Sequence, residues 1–313
     1  MKIFTKLFAV FTFATIGFAT THLFADDKVD SLGTDNDEFS YQFNYNEFSG
    51  DGFKDFNLFD YLYQDRMPRI DVNYSLCNPA INSDYFSKKF AQTSSLEVTA
   101  GYTKNKLSKD GDLIKSTYNY LRFGFYSQNL GKKDDDKSKL QFDGWKFTWG
   151  DNTGYGWVIS ESADLTLFHG DNFNWTRLNM DSMPMPAKDL GRLDRFNNQI
   201  KFGRSFEGGV NLRLWNKLGI SASYEQEQLF ARHLFWYWTG SELIEAAVSG
   251  LTSEFIHDVT KRSKIGGPII NFIIKNGIAY GIYELRKKDM NWPFNTEAPM
   301  VIDKFKLGIN FTF

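Results

Sequence analysis

The stretch Phe305-Lys306-Leu307-Gly308-Ile309-Asn310-Phe311-Thr312-Phe313 decides the fold. Every odd position is apolar and every even one is polar or glycine. Successive side chains of an extended chain point to opposite faces, so this is an amphipathic strand with an unbroken apolar row on one side. It ends on an aromatic residue. Soluble sandwiches also contain such strands, and the rest of the sequence has to separate the two cases.

Within these residues the order polar, any, Gly, any, any, apolar, any, aromatic is carried by Gly308, Phe311 and Phe313. It resembles the closing-strand insertion signal of bacterial outer-membrane β-barrel proteins, a resemblance of class rather than of a narrower family. It implies the outer membrane of a Gram-negative cell, with outer-membrane lipid and lipopolysaccharide around the protein and the barrel-assembly machinery as a partner. The opposite end of the sequence fits that route. Met1-Lys2 and Lys6 are basic, Leu7 to Ala19 is nearly uninterrupted apolar sequence, and Leu23-Phe24-Ala25 precedes Asp26-Asp27. Residues 1–25 therefore read as a cleaved secretory signal peptide. Their apolar run is shorter than the roughly 20 residues of a membrane-spanning helix. Residues 26–38, acidic and rich in small polar side chains, are expected to form a flexible periplasmic lead.

Composition favours a membrane barrel over a soluble all-β domain. Apolar residues make up 42% and aromatics 17% of the chain, with 31 Phe, 15 Tyr and 8 Trp. Transmembrane barrels spend apolar and aromatic side chains on the lipid face and on girdles at both interfaces. The single cysteine, Cys77, excludes an internal disulfide framework. A net charge of -2 without a basic run gives no reason to expect nucleic acid as a partner.

Alternation across residues 39–313 predicts an all-β fold, a single transmembrane antiparallel β-barrel of about twelve strands. Expected strands lie at 39–45, 69–76, 96–104, 117–127, 139–149, 154–168, 173–178, 198–215, 218–230, 269–275, 278–288 and 303–313. Asn276-Gly277, the strongest short hairpin signal, and Asn216-Lys217 are expected as tight periplasmic turns. The long connections then fall on the outer side, as barrel topology requires. Arg204 interrupts the apolar row Ile200, Phe202, Phe206, Val210, Leu212 and Leu214, and is expected to snorkel to the outer interface.

One amphipathic helix is predicted in an outer loop, at 239–262. Thr239-Gly240-Ser241-Glu242 has capping-box form, and Leu243, Ile244, Ala247, Val248, Leu251, Phe255 and Val259 recur at helical spacing. Its apolar stripe can be buried in the lumen, on the outer leaflet or against other loops. With Glu242, Glu245, Glu254 and Asp258 it is too charged to span lipid.

Strand parity puts Glu97, Arg122, Lys201, Arg213, Glu225, Glu227, Lys304 and Lys306 toward the lumen, with Thr99, Ser221, Ser223 and Asn310. Inward charge is what a solute-passing pore needs, whereas mixed signs also suit an internal ion-paired ladder. The leading expectation is a narrow or gated channel or binding barrel for a small polar solute. A non-conducting structural or adhesive barrel and a lipid-modifying enzyme follow. For the enzyme, His233 near Ser221 or Ser223 is the place to look. No nucleophile elbow, zinc-helix motif or cysteine cluster is present, so no catalytic residue, metal or cofactor is expected. His169-Gly170-Asp171-Asn172 reads as a turn.

Overall fold

In the computed structural model the described residues are 66–313, except 83, 85, 109–111, 132–135, 137 and 264, and at 249–262 the backbone alone is described. The expected signal peptide, lead and strand at 39–45 lie outside them. Eight antiparallel strands close into a barrel in sequence order. They are β1 Met67–Ile81, β2 Thr93–Leu107, β3 Leu113–Ser127, β4 Phe142–Ser160, β5 Ala163–Met180, β6 Ile200–Leu214, β7 Leu218–Leu229 and β8 Met300–Thr312. β8 pairs with β7 on one side and closes on β1 from Arg69↔Thr312 to Ile81↔Met300.

Twelve strands are therefore corrected to eight, for three local reasons. The segments expected as strands at 269–275 and 278–288 belong to one helix, and Asn276-Gly277 lies in its middle. The three strands expected between 139 and 178 are two longer ones, joined at Glu161-Ser162. His169-Gly170-Asp171-Asn172 is not a turn but the centre of β5, paired with Thr153, Asn152, Asp151 and Gly150 of β4. Gly170 leaves room there for the Asn152 side chain, whose Oδ1 occupies the place a Cβ would take.

Short connections lie at one end of the barrel and long ones at the other. The β6–β7 turn has positive φ at both Trp215 (50°) and Asn216 (61°), and Lys217 N–H donates to Leu214 O at 3.2 Å, as in a type I′ hairpin. At the long-loop end, β5 and β6 are joined through helix α1 (Ala187–Leu193), and β7 and β8 through helices α2 (Phe235–Arg262) and α3 (Gly266–Arg286).

Burial along the strands is inverted relative to a soluble protein. In β1, Ile70, Val72 and Leu76 are 43%, 48% and 41% exposed, whereas Asp71, Asn73 and Ser75 are buried. In β8, Phe305, Leu307, Ile309 and Phe311 face outward, while Lys304, Lys306 and Asn310 are buried. A fold driven by burying apolar surface from water does not arrange itself this way. Gly308 belongs to the inner row, where the Asn73 amide of the neighbouring β1 occupies the place a Cβ would take.

The α2–α3 hairpin packs on the outside of the wall over β4, β5 and β6, and its C-terminal end reaches β7 and β8. The predicted helix at 239–262 exists and begins earlier, at Phe235. It does not enter the lumen.

Candidate functional site

The interior is built in layers set by strand parity. At the long-loop end the inward rows turn apolar. Cys77, Phe142, Leu178, Met180, Leu229, Met300 and Ile302 are buried there and roofed by Phe86, Phe90, Leu140, Phe196 and Met290. Asp189 in the first turn of α1 fastens this roof by accepting from the Ser87 amide at 3.3 Å and from the Ser87 hydroxyl. The hydroxyl's hydrogen bond holds the Asp189 carboxyl below its ordinary value.

Beneath the apolar layer lie four carboxylates, Glu97, Glu207, Glu225 and Glu227, and four cations, Arg122, Lys146, Lys304 and Lys306. Lys146 Nζ is 2.7 Å from Glu97 Oε1 and 3.1 Å from Glu225 Oε1. Lys306 Nζ lies 2.8 Å from Glu225 and 2.9 Å from Glu97, and Arg122 reaches Glu207 at 2.9 Å and Glu225 at 3.2 Å. Lys304 pairs with Glu227, which also accepts from the Tyr126 hydroxyl at 2.6 Å and from Thr176 at 2.9 Å. Formal charge within the cluster sums to zero, and all eight side chains are 5% exposed or less. An eight-stranded barrel has an interior just wide enough for its own side chains.

Toward the short-turn end the lining becomes neutral and then charged again. Tyr120 donates to Asn172 at 2.6 Å, and Asn310 donates to Asn211 at 2.7 Å. At the mouth Arg69 pairs with Asp71 at 2.7 Å and Arg213 with Asp164 at 2.6 Å.

Of the residues singled out in the sequence, Glu97, Arg122, Glu225, Glu227, Lys304 and Lys306 meet in the central cluster. Lys201 and Arg213 do not. Lys201 donates to Ala231 O at 3.0 Å near the long-loop end, and Arg213 belongs to the opposite mouth. Lys146 and Glu207 complete the cluster; alternation in β6 sets Glu207 opposite the apolar row with Lys201 and Arg213, and Lys146 is not among the residues singled out. Glu207 sits on the polar side of β6 by simple parity, and Lys146 alternates with Trp145 and Phe147 in β4, so period two was a sufficient signal for both. Gly308 lies on the inner row at the closing seam and Phe311 on the outer face, and Phe313 N–H donates to Pro68 O at 3.0 Å. His233 sits among Phe202, Phe235 and Trp238, where burial lowers its imidazole pKa. Ser223 points inward and donates to Glu207 at 2.7 Å, so the structure does not assemble a serine–histidine pair from these residues.

A second charged cluster lies on the outer wall. Arg204 of β6 does not snorkel to the interface but is buried under α2, where it pairs with Glu242, with Glu245 at 3.0 Å, and with Asp171 of β5. Arg286 of α3 adds contacts to Glu242 and Glu245, both at 3.1 Å. Asn276 Oδ1 accepts from His169 Nδ1–H at 3.0 Å while its amide N–H donates to Phe272 O at 2.9 Å. Three carboxylates and two guanidiniums thus clamp the hairpin to the barrel. Among the described residues no group of three or more His, Cys, Asp or Glu side chains is placed to hold a metal.

Solved structures similar to this chain include Neisserial surface protein A, at 10% identity and a TM-score of 0.36, covering 79% of this chain and 97% of that one. Ail, the attachment invasion locus protein of Yersinia pestis, matches at 10% identity and a TM-score of 0.31, covering 80% and 100%. A de novo designed transmembrane β-barrel matches at 8% identity and a TM-score of 0.23, covering 78% and 95%. No protein-family model matches the sequence, and no curated protein does. The chain's resemblance to outer-membrane β-barrels rests on its own closed antiparallel barrel, apolar outside and charged within.

Proposed function

We propose that the protein is a non-conducting barrel of the bacterial outer membrane that anchors and displays its long outer-side loops, a structural or adhesive role. Membrane placement is supported by the apolar outer rows of β1, β2, β3 and β8, which in water would expose contiguous greasy surface far beyond that of a soluble monomer. The single observation that carries the closed reading is the central cluster. Opposite charges fill the cross-section pairwise, and an apolar plug of side chains lies above them.

A hydrated ion entering this interior would have to break several buried ion pairs, each of which costs a few kcal/mol when one partner is left alone. Of the readings open in the sequence, a channel and a closed barrel, the packing favours the closed one. Among the described residues no arrangement of nucleophile, base and oxyanion donor supports the enzyme reading.

Osmotic swelling of proteoliposomes provides the test. Vesicles carrying refolded protein are expected to swell in a small sugar no faster than protein-free vesicles. Swelling that scales with protein content would remove the closed reading and restore the channel.

A further inference from the structure

Helix α3 and the first turns of α2 are amphipathic in the wrong sense for water. From Ile265, just before α3, the exposed row continues through Ile269, Ile273, Tyr280 and Leu285, with Gly277 and Gly281 between them; its one charged member, Glu284 in the last turn, is ion-paired with Lys287 at 2.6 Å. The row turned toward the barrel holds Asn271, Tyr283 and Arg286, all buried. The first turns of α2 repeat the inversion, since Glu242 faces the wall while Leu243, Ile244 and Val248 are exposed.

Its height on the barrel is fixed by two contacts. Asn276 bonds His169, which is in register with Thr153, and Arg204 bonds Asp171, which pairs with Asp151 near the midpoints of β4 and β5. These four wall residues, Asp151, His169, Asp171 and Arg204, interrupt the apolar outer belt. A bare charge at that depth of a bilayer is strongly disfavoured, a cation more than an acid. The hairpin covers this interruption.

From this geometry we infer that α3 and the first turns of α2 lie within the outer-leaflet region of the bilayer, shield the polar patch of β4–β6, and present their apolar face to lipid acyl chains. The partner is lipid because the exposed face of α3 continues the wall's own apolar belt, and its one carboxylate, Glu284, is already paired with Lys287 in the last turn. This rests on the membrane reading above and adds to it: a loop segment, not a strand, completes the lipid-facing surface.

The test is collision accessibility of nitroxide labels in lipid vesicles. Labels are placed singly at Ile273→Cys and Tyr280→Cys, with Val98→Cys on the bare wall and Lys188→Cys on α1 as references, all in a Cys77→Ala background. All four positions are exposed, and gel mobility with and without boiling verifies folding of each variant. Positions 273 and 280 are expected to match 98, reached by oxygen and lost to a water-soluble nickel chelate, with 188 showing the reverse. If 273 and 280 behave like 188 while 98 remains oxygen-dominated, the hairpin is in water and the inference is overturned. Shielding of 273 and 280 from both reagents would mean a protein covers the face, which also overturns it. Nickel access at 98 itself would instead bring down the membrane reading, and the inference with it.

Discussion

Lys146 Nζ of β4 lies 2.7 Å from Glu97 Oε1 of β2, reaching past the intervening β3, and neither side chain is exposed. Contacts of this kind tie non-neighbouring strands through the interior, so the cluster acts as a cross-brace as well as a filling. In a medium of low dielectric such a brace is useful only while it is complete.

Removing one member should therefore cost more than an ordinary surface change. Lys146→Met leaves Glu97 and Glu225 short of a partner and is expected to lower stability by about 3–5 kcal/mol. Adding Glu97→Gln should recover part of that loss. Urea unfolding of the refolded protein in detergent micelles reads both, and a loss below about 1 kcal/mol, the range of exposed ion pairs, would contradict the account.

The outer-wall clamp predicts a local rather than global failure. Arg204→Met strands Asp171, Glu242 and Glu245 against a single guanidinium, that of Arg286, in a buried setting. The hairpin should open and become a protease target, while the barrel keeps its boiling-dependent gel shift. Loss of the gel shift together with the hairpin would show that the two do not fold as separable units.

Shortening the β7–β8 connection separates covering from plugging. Replacing 235–286 by a short turn leaves the interior cluster intact, so the barrel should stay closed to ions. It uncovers Asp151, His169 and Asp171 on the wall, so insertion into lipid should become slower and less complete. Ion flux appearing on deletion would mean that the helices had been blocking a pore.

The loop roof carries a pH dependence of definite sign. The Asp189 carboxyl is held below its ordinary value by Ser87, so its folded-state pKa is depressed. Its contribution is fully present above the unfolded value of about 3.9 and is lost as pH falls through the lower folded value. The Ser87 amide resonance should titrate below pH ~3.9, and should not titrate there in Asp189→Asn. A midpoint at or above that pH would show that the hydrogen bond does not favour the carboxylate.

Strand parity made much of this legible. The alternation in Phe305 to Phe313 gave the inward row of β8 with Lys304 and Lys306, and β6 and β7 kept their parity almost to the residue. Two kinds of segment misled. The Ile-rich run from Ile269 through Lys288 suits a strand by propensity, and Asn276-Gly277 suits a turn, yet the buried positions Asn271, Ala279 and Tyr283 fall at helical multiples of four. In β5, Gly170-Asp171-Asn172 has turn composition because Gly170 makes room for Asn152 and Asp171 serves the clamp, while Asn172 fills the interior. Glu161-Ser162, the real turn, has no Gly, Pro or Asn to announce it. The reversal of helix amphipathicity was beyond reach, because an apolar stripe marks a buried face only when the surrounding solvent is water.

Electrical recording across a planar bilayer tests the central claim most directly. With the refolded wild-type protein present at either polarity, the current is predicted to stay at the leak of the bare membrane, without unitary steps. Discrete, voltage-dependent openings from protein shown by its gel shift to be folded would contradict it.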